Sequence, residues 1–193
     1  MPGRPAWGTT EAITRASSPS KTTRPLFAVP RGDIPGVANF AKVSDTLYRG
    51  AQPTAEGFKE LKRMGIRTVV SLRTTSSDRS LLAGTGMKYR RLACEPYDPD
   101  EEDLVRFLSL VRNPENQPVF VHCRQGADRT GWAVAGYRVV EQSWKPGDAF
   151  GEMKGFGHHE FFTAIRKHLL RIDPGRVRRL VEQEPAVNLD IIP

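Results

Sequence analysis

The segment from Pro118 to Val140 constrains this chain more than any other. PVFVH is a short run of β-branched and apolar residues, the pattern of a strand buried on both faces. From Thr130 to Val140 the chain is apolar on nearly every side, which predicts a central, covered helix. Between them lies Cys123-Arg124-Gln125-Gly126-Ala127-Asp128-Arg129. A strand, a tight loop and a helix in immediate succession turn the loop's backbone N–H groups inward at a helix N-terminus, where they form an anion-binding nest. Gly126 sits where the loop must bend and where a side chain would crowd a ligand.

A thiol in that nest is an expected nucleophile. The helix N-terminus and the nearby Arg129 both favour the thiolate over the thiol. Arg129 offers a planar fork able to grip two phosphate oxygens. The loop amides of Arg124, Gln125, Gly126, Ala127, Asp128 and Arg129 are the expected phosphate contacts, and with the guanidinium they can hold the charge of a transferring phosphoryl group. Thr130 can donate a hydrogen bond to the sulfur as it leaves. His122 either orients the loop or is a buried histidine satisfied by backbone.

The rest of the chain reads as alternating strands and helices. Asn39 to Gly50 reads as a strand or hairpin, and Phe58, Leu61 and Met64 mark a helix that Gly65 ends. Arg67 to Leu72 and Met87 to Cys94 read as strands, with a polar loop over Arg73 to Gly86. Leu104, Phe107, Leu108 and Val111 form an apolar stripe on the next helix. Lys145-Pro146-Gly147 breaks the chain before helices over Asp148 to Gly155 and His159 to Arg171. This is an α/β fold, a central mostly parallel sheet flanked by helices. The expected organisation is a disordered basic Pro/Ser-rich leader (1–36, order beginning near Val37), one domain (37–173), then a short basic helix and loose tail (174–193).

Lys and Arg outnumber Asp and Glu by 29 to 22, a net charge of +7. That suits polyanions, but the basic residues are scattered and no aromatic–basic pattern of an RNA-binding sheet appears, so no nucleic acid is expected. Two cysteines, Cys94 and Cys123, make no disulfide framework. Neither has a second cysteine at metal-ligand spacing, and the adjacent His158 and His159 are a poor chelate, so no metal is expected. No apolar stretch is long enough for a signal peptide or membrane span, and the expected compartment is the cytoplasm.

His-Cys-x-x-Gly-x-x-Arg-Thr-Gly, His122 to Gly131, resembles the signature loop of the protein tyrosine phosphatase superfamily, nearest its dual-specificity-like bacterial and atypical plant and fungal branches. NFAKVSDTLYRGAQPTAEGFKELKRMGIRTVVSLR, Asn39 to Arg73, resembles the opening of the same domains. The resemblance implies the cysteine-phosphatase fold and a two-step hydrolysis through a cysteinyl phosphate, with no metal or organic cofactor. It implies a phosphorylated protein or other phosphomonoester as substrate, phosphotyrosine first.

The resemblance also implies a general acid on a loop before the cysteine. Asp98 is the first candidate and Asp100 the second, with Glu95 poorer. Asp98 also fits a helix N-cap, with Pro99 at N1 and Glu101 completing a capping box; Asp100 equally fits a helix-start acid. Asp128 is a third candidate, because the Gly-x-Asp-Arg arrangement is similar to that of myotubularin-like lipid phosphatases; otherwise it points outward and tunes charge. Cys94 is a small buried hydrophobe or, as in some relatives, a disulfide partner for Cys123. The alternatives are a phosphoinositide or small-molecule phosphatase of the same fold, a rhodanese-like sulfurtransferase and a non-catalytic phosphate-binding module. The Arg129-Thr130-Gly131 entry into a long apolar helix argues against the sulfurtransferase. No aromatic wall for a phosphotyrosine ring is identifiable in the sequence.

Overall fold

The computed structural model describes residues 26–95, 97–185 and 187–193. The first 25 residues of the expected leader lie outside them. A hairpin of β1 (Ala41–Lys42) and β2 (Leu47–Gly50) leads to α1 (Ala55–Arg63). Then come β3 (Thr68–Ser71), the one-turn α2 (Arg79–Leu82), β4 (Lys88–Arg91) and α3 (Glu101–Arg112). After β5 (Val119–His122) the chain is helical through α4 (Asp128–Glu141), α5 (Pro146–Gly155), α6 (Thr163–Arg171) and α7 (Pro174–Gln183). A two-residue strand, β6 (Asp190–Ile191), follows.

The six strands form one sheet in the order β1-β2-β5-β3-β4-β6. The four central strands run parallel, and β1 and β6 close the edges antiparallel. Alternation along the strands divides the core. Val69 and Phe120 face a layer with Phe58, Leu61 and Met87. Val70, Val119 and Val121 face the larger layer with Phe107, Leu108, Trp132 and Val134. Helix α4 lies at the centre of that second layer, and two of its glycines let neighbours approach. A Cβ on Gly131 would lie 2.6 Å from the Met153 side chain of α5, and one on Gly136 would lie 2.4 Å from Leu104 of α3.

Several local expectations are corrected. Residues before Val37 already pack: Phe27 stacks on Trp144, the Ala28 N–H donates to Glu152 over 2.7 Å, and Arg31 bridges to Phe40. The tail after α7 is not loose, because β6 pairs with β4, Ile192 is buried and Arg79 pairs with Asp190. The Arg73–Gly86 segment includes α2. Met64 caps α1 and is exposed rather than part of its buried face. Pro146 starts α5 at its first turn, where its missing N–H costs nothing. Helix α6 begins at Thr163, leaving His158 to Phe162 as a turn.

Candidate active site

The loop between β5 and α4 is held from outside by its carbonyls. The Cys123 carbonyl accepts from His122 Nδ1 at 3.2 Å. The Arg124 carbonyl accepts from the Gln52 N–H at 3.1 Å, and that of Gln125 from Asn39 Nδ2 at 3.0 Å. The Gly126 carbonyl accepts from Arg49 Nη2 at 2.7 Å. With four successive C=O groups drawn outward, the intervening N–H groups are left to the concave side, which is the geometry of an anion nest. Gly126 has φ +71°, and a Cβ there would stand 2.5 Å from the Gly50 carbonyl carbon. A side chain at that position would therefore both strain the turn and push the loop off β2.

Cys123 is buried at the floor of this loop, and Arg124 and Gln125 carry exposed side chains at its rim. Arg129, in the first turn of α4, is half-buried and donates from Nη1 to the Leu72 carbonyl at 3.4 Å, which ties its guanidinium to the end of β3. Thr130 is fully buried, with no hydrogen-bond partner for its hydroxyl among the described residues. A buried hydroxyl without a partner is costly unless the site supplies one in use.

Arg49 is fully buried beneath the loop, its guanidinium 3.6 Å from the centre of the Phe156 ring. Burial holds its pKa down to about 10, against the opposing pull of Glu152 and Cys123. It remains a cation at neutral pH. Sequence reasoning passed over it, although Arg49 shares its strand face with buried Leu47, and an arginine on an inward strand position is itself a signal.

His122 is fully buried and ties the loop to a second network. Its Nε2 stands 3.0 Å from Asp78 Oδ2, an ion-pair distance, although the two atoms are not aligned for a hydrogen bond. Asp78 Oδ1 accepts from Gln52 Nε2 at 2.8 Å, and Gln52 Oε1 accepts from Arg73 at 2.6 Å. Burial pushes the Asp78 carboxyl up, but His122 and Gln52 outweigh it and hold the group below the usual carboxylate value. Asp78, Gln52 and Asn39 were not candidates from sequence, because only the fold brings these three loop residues against the nest.

The three acid candidates separate. Asp100, not Asp98, is the N-cap of α3, its carboxylate accepting from the Asp103 N–H at 2.8 Å. Asp98 is free of that duty. Its side chain is 87% exposed, 3.9 Å from His168 Nε2. Asp128 does not point outward. It is buried, with Oδ1 2.8 Å from His158 Nδ1 and 2.9 Å from the His159 N–H, and Oδ2 2.8 Å from His159 Nδ1. A carboxylate can only accept, so each ring presents its proton at Nδ1. The adjacent histidines thus bracket a loop aspartate, and both carboxylate oxygens are taken.

Cys94 is buried, and burial together with Asp103 pushes its thiol far up. Strand β3 separates the strands that lead to the two cysteines. Two strand spacings, about 9–10 Å, exceed what a disulfide spans without backbone movement. Beside the loop, Tyr97, His159, Phe161 and Phe162 pack ring to ring. Phe162 and His158 also line a cavity of about 450 Å³ whose walls include Lys154, Arg166 and Lys167.

Residues 35–162 match the family model described as "DSP-PTPase phosphatase fused to NAD+ Kinase". This chain belongs to that family. Its DSP-PTPase relatives include the dual specificity protein phosphatase TpbA of Pseudomonas aeruginosa, 34% identical over 125 residues, which are 63% of this chain and 57% of that protein. Inositol diphosphatase SIW14 of Saccharomyces cerevisiae is 25% identical over 154 residues, 75% of this chain and 54% of that protein. The chain thus spans little more than half the length of these curated relatives. The crystal structure of TpbA in complex with phosphotyrosine superposes with a TM-score of 0.72 at 28% identity, covering 84% of this chain and all of that one. The catalytic core of SIW14 shares the fold, with a TM-score of 0.66 at 23% identity over 75% of this chain and 91% of that one. No helix among the described residues is long and apolar enough to cross a membrane.

Proposed function

We propose that this chain hydrolyses phosphate monoesters through a cysteinyl-phosphate intermediate, with phosphotyrosine in protein as its main substrate. The observation that carries the reading is the outward tethering of the four carbonyls from Cys123 to Gly126, which leaves a nest of amides above the sulfur. Phosphate seats on these amides and on the fork of Arg129. The Cys123 sulfur attacks phosphorus in line, the P–O bond to the leaving group breaks, and Asp98 gives the departing oxygen its proton. Water then attacks the phosphocysteine, returning a proton to Asp98, and the sulfur leaves toward the Thr130 hydroxyl. Amides and guanidinium hold the charge throughout, which is most of the work in phosphoryl transfer.

The Asp98 side chain is exposed to solvent beside His168, so in this reading its loop closes over the nest when substrate binds, a common arrangement for catalytic groups on loops. A second reading is a phosphatase for polyphosphorylated small molecules such as inositol phosphates. It is favoured by the basic cavity beside the loop and by the named activity of SIW14. Phosphate release from phosphotyrosyl, phosphoseryl and phosphothreonyl peptides and from inositol phosphates, with Cys123→Ser as control, separates the two. The first reading expects the phosphotyrosyl peptides to lead; a clear preference for inositol phosphates would overturn it.

A further inference from the structure

Asp128 is the first residue of α4 and the one acid in the loop from Cys123 to Arg129. A carboxylate at a helix N-terminus ordinarily accepts from the free amides of the first turn and is favoured there by the helix dipole. In a phosphate site the same carboxylate is a rival. It competes with the substrate for those amides and for Arg129, the next residue, and its charge repels a phosphate dianion.

The structure disposes of the rival by occupying it. Both Asp128 oxygens are spent on the turn between α5 and α6. Oδ1 accepts from the His159 N–H at 2.9 Å and stands 2.8 Å from His158 Nδ1, and Oδ2 stands 2.8 Å from His159 Nδ1. Each ring is set nearly perpendicular to a phenylalanine, His158 to Phe150 at 5.4 Å and His159 to Phe162 at 6.2 Å, so packing fixes the direction of both ring N–H groups. Asp128 and His158 are buried, whereas the His159 side chain is 38% exposed. No side chain caps α4 in the meantime, because its N-cap is Ala127. The amides at the start of the helix are left to a substrate anion. A neutral residue at 128 would also spare the nest a charge, but it would give up the three hydrogen bonds that moor the turn.

We propose that His158 and His159 are positioning residues for the phosphate loop: they hold the Asp128 carboxylate away from the nest, so that a substrate dianion meets the amides and Arg129 without a competing negative charge. The inference rests on the phosphatase reading above, and it assigns Asp128 to this clamp rather than to proton transfer.

The test measures vanadate inhibition, and kcat and KM for a phosphotyrosyl peptide, at one fixed pH. It compares wild type, His159→Leu, His159→Asn, and His159→Leu combined with Asp128→Asn. Because His159 is partly exposed, its replacement is the variant expected to fold, and thermal unfolding verifies this for each protein. A like charge released beside a bound oxyanion costs about tenfold in affinity. His159→Leu is therefore expected to weaken vanadate and raise KM by about that factor, with kcat changing less. The asparagine of His159→Asn keeps an N–H donor near the place of Nδ1 and should stay close to wild type. Adding Asp128→Asn to His159→Leu removes the released charge and should restore vanadate affinity, although it removes further contacts. A histidine that merely held the fold together would give the opposite order. Vanadate affinity unchanged in His159→Leu, or no better in the double variant than in the single one, would overturn the clamp. A wild-type chain that neither hydrolyses the peptide nor binds vanadate would instead overturn the phosphatase reading itself.

Discussion

The Arg49 guanidinium, buried beneath the loop, donates to the Gly126 carbonyl across 2.7 Å. That bond holds the tightest bend of the loop, the one residue with a positive φ, against strand β2. Arg49→Met keeps most of the volume but leaves the carbonyl buried and unpaired, at a cost of about 1–3 kcal/mol. Because the amides on either side of Gly126 lose their fixed direction, kcat should fall by about 10- to 100-fold. Thermal unfolding and steady-state rates on an aryl phosphate measure both. A variant with lowered stability and unchanged kcat would show that the loop does not depend on this tether.

Asp98 and Asp100, two residues apart, should respond oppositely to the same change. Asp98→Asn removes the proposed proton donor and is expected to lower kcat by about 10²–10⁴, with the alkaline fall in rate lost. The loss should be larger for alkyl than for aryl leaving groups, which need protonation less. Asp100→Asn touches only the cap of α3 and should leave kcat near wild type. Asparagine caps about as well as aspartate, whereas Asp100→Ala should cost about 0.5–2 kcal/mol of stability. Urea unfolding and pH–rate profiles of the three variants distinguish the roles.

Acid stability should depend on Asp78. Its carboxyl titrates below its unfolded value, because contacts with His122 and Gln52 outweigh burial. A depressed folded value means the group stabilises the fold above the unfolded pKa of about 3.9, and this contribution is lost as pH falls through the lower folded value. Asp78→Asn should therefore lower stability at neutral pH and flatten its decline below about pH 4. Unfolding free energy from pH 7 down to pH 2, followed by circular dichroism, gives the curve for each protein.

Glu152 pairs with Arg138 through two hydrogen bonds of 3.0 and 2.8 Å and also accepts from the Ala28 N–H. The Arg138–Glu152 pair is buried, so Glu152→Gln leaves an uncompensated guanidinium and should cost about 3–5 kcal/mol. The same substitution should release the segment around Phe27 from Trp144, seen as faster amide exchange at Ala28. Unchanged exchange there would place the attachment elsewhere.

The sheet and the loop were legible because local patterns encode them. A β-branched run, a glycine at a bend and a fully apolar helix place β5, Gly126 and α4 without reference to the rest of the chain. What supports the loop was not legible. Asn39, Arg49 and Gln52 come from the β1–β2 hairpin and its flanks and Asp78 from the segment after β3, and only the strand order, which sets β2 and β3 on either side of β5, gathers them around one turn. The helix start stayed open in the sequence because Asp98-Pro99 and Asp100-Glu101 offer nearly equivalent caps; the fold uses Asp100. His158 and His159 were weighed only as metal ligands, since adjacency in sequence hides that a turn can close both rings on one carboxylate. The packing of Tyr97 on Phe162 was hidden for the same reason, the two lying more than sixty residues apart.

The most direct measurement is the fate of the transferred phosphoryl group. Rapid acid quench of the wild-type chain turning over p-nitrophenyl phosphate, followed by peptide mass spectrometry, should find one phosphoryl group on Cys123. Cys123→Ser should neither turn over nor carry the label, yet should still bind vanadate. A label on another residue, or turnover by Cys123→Ser near the wild-type rate, would contradict the account.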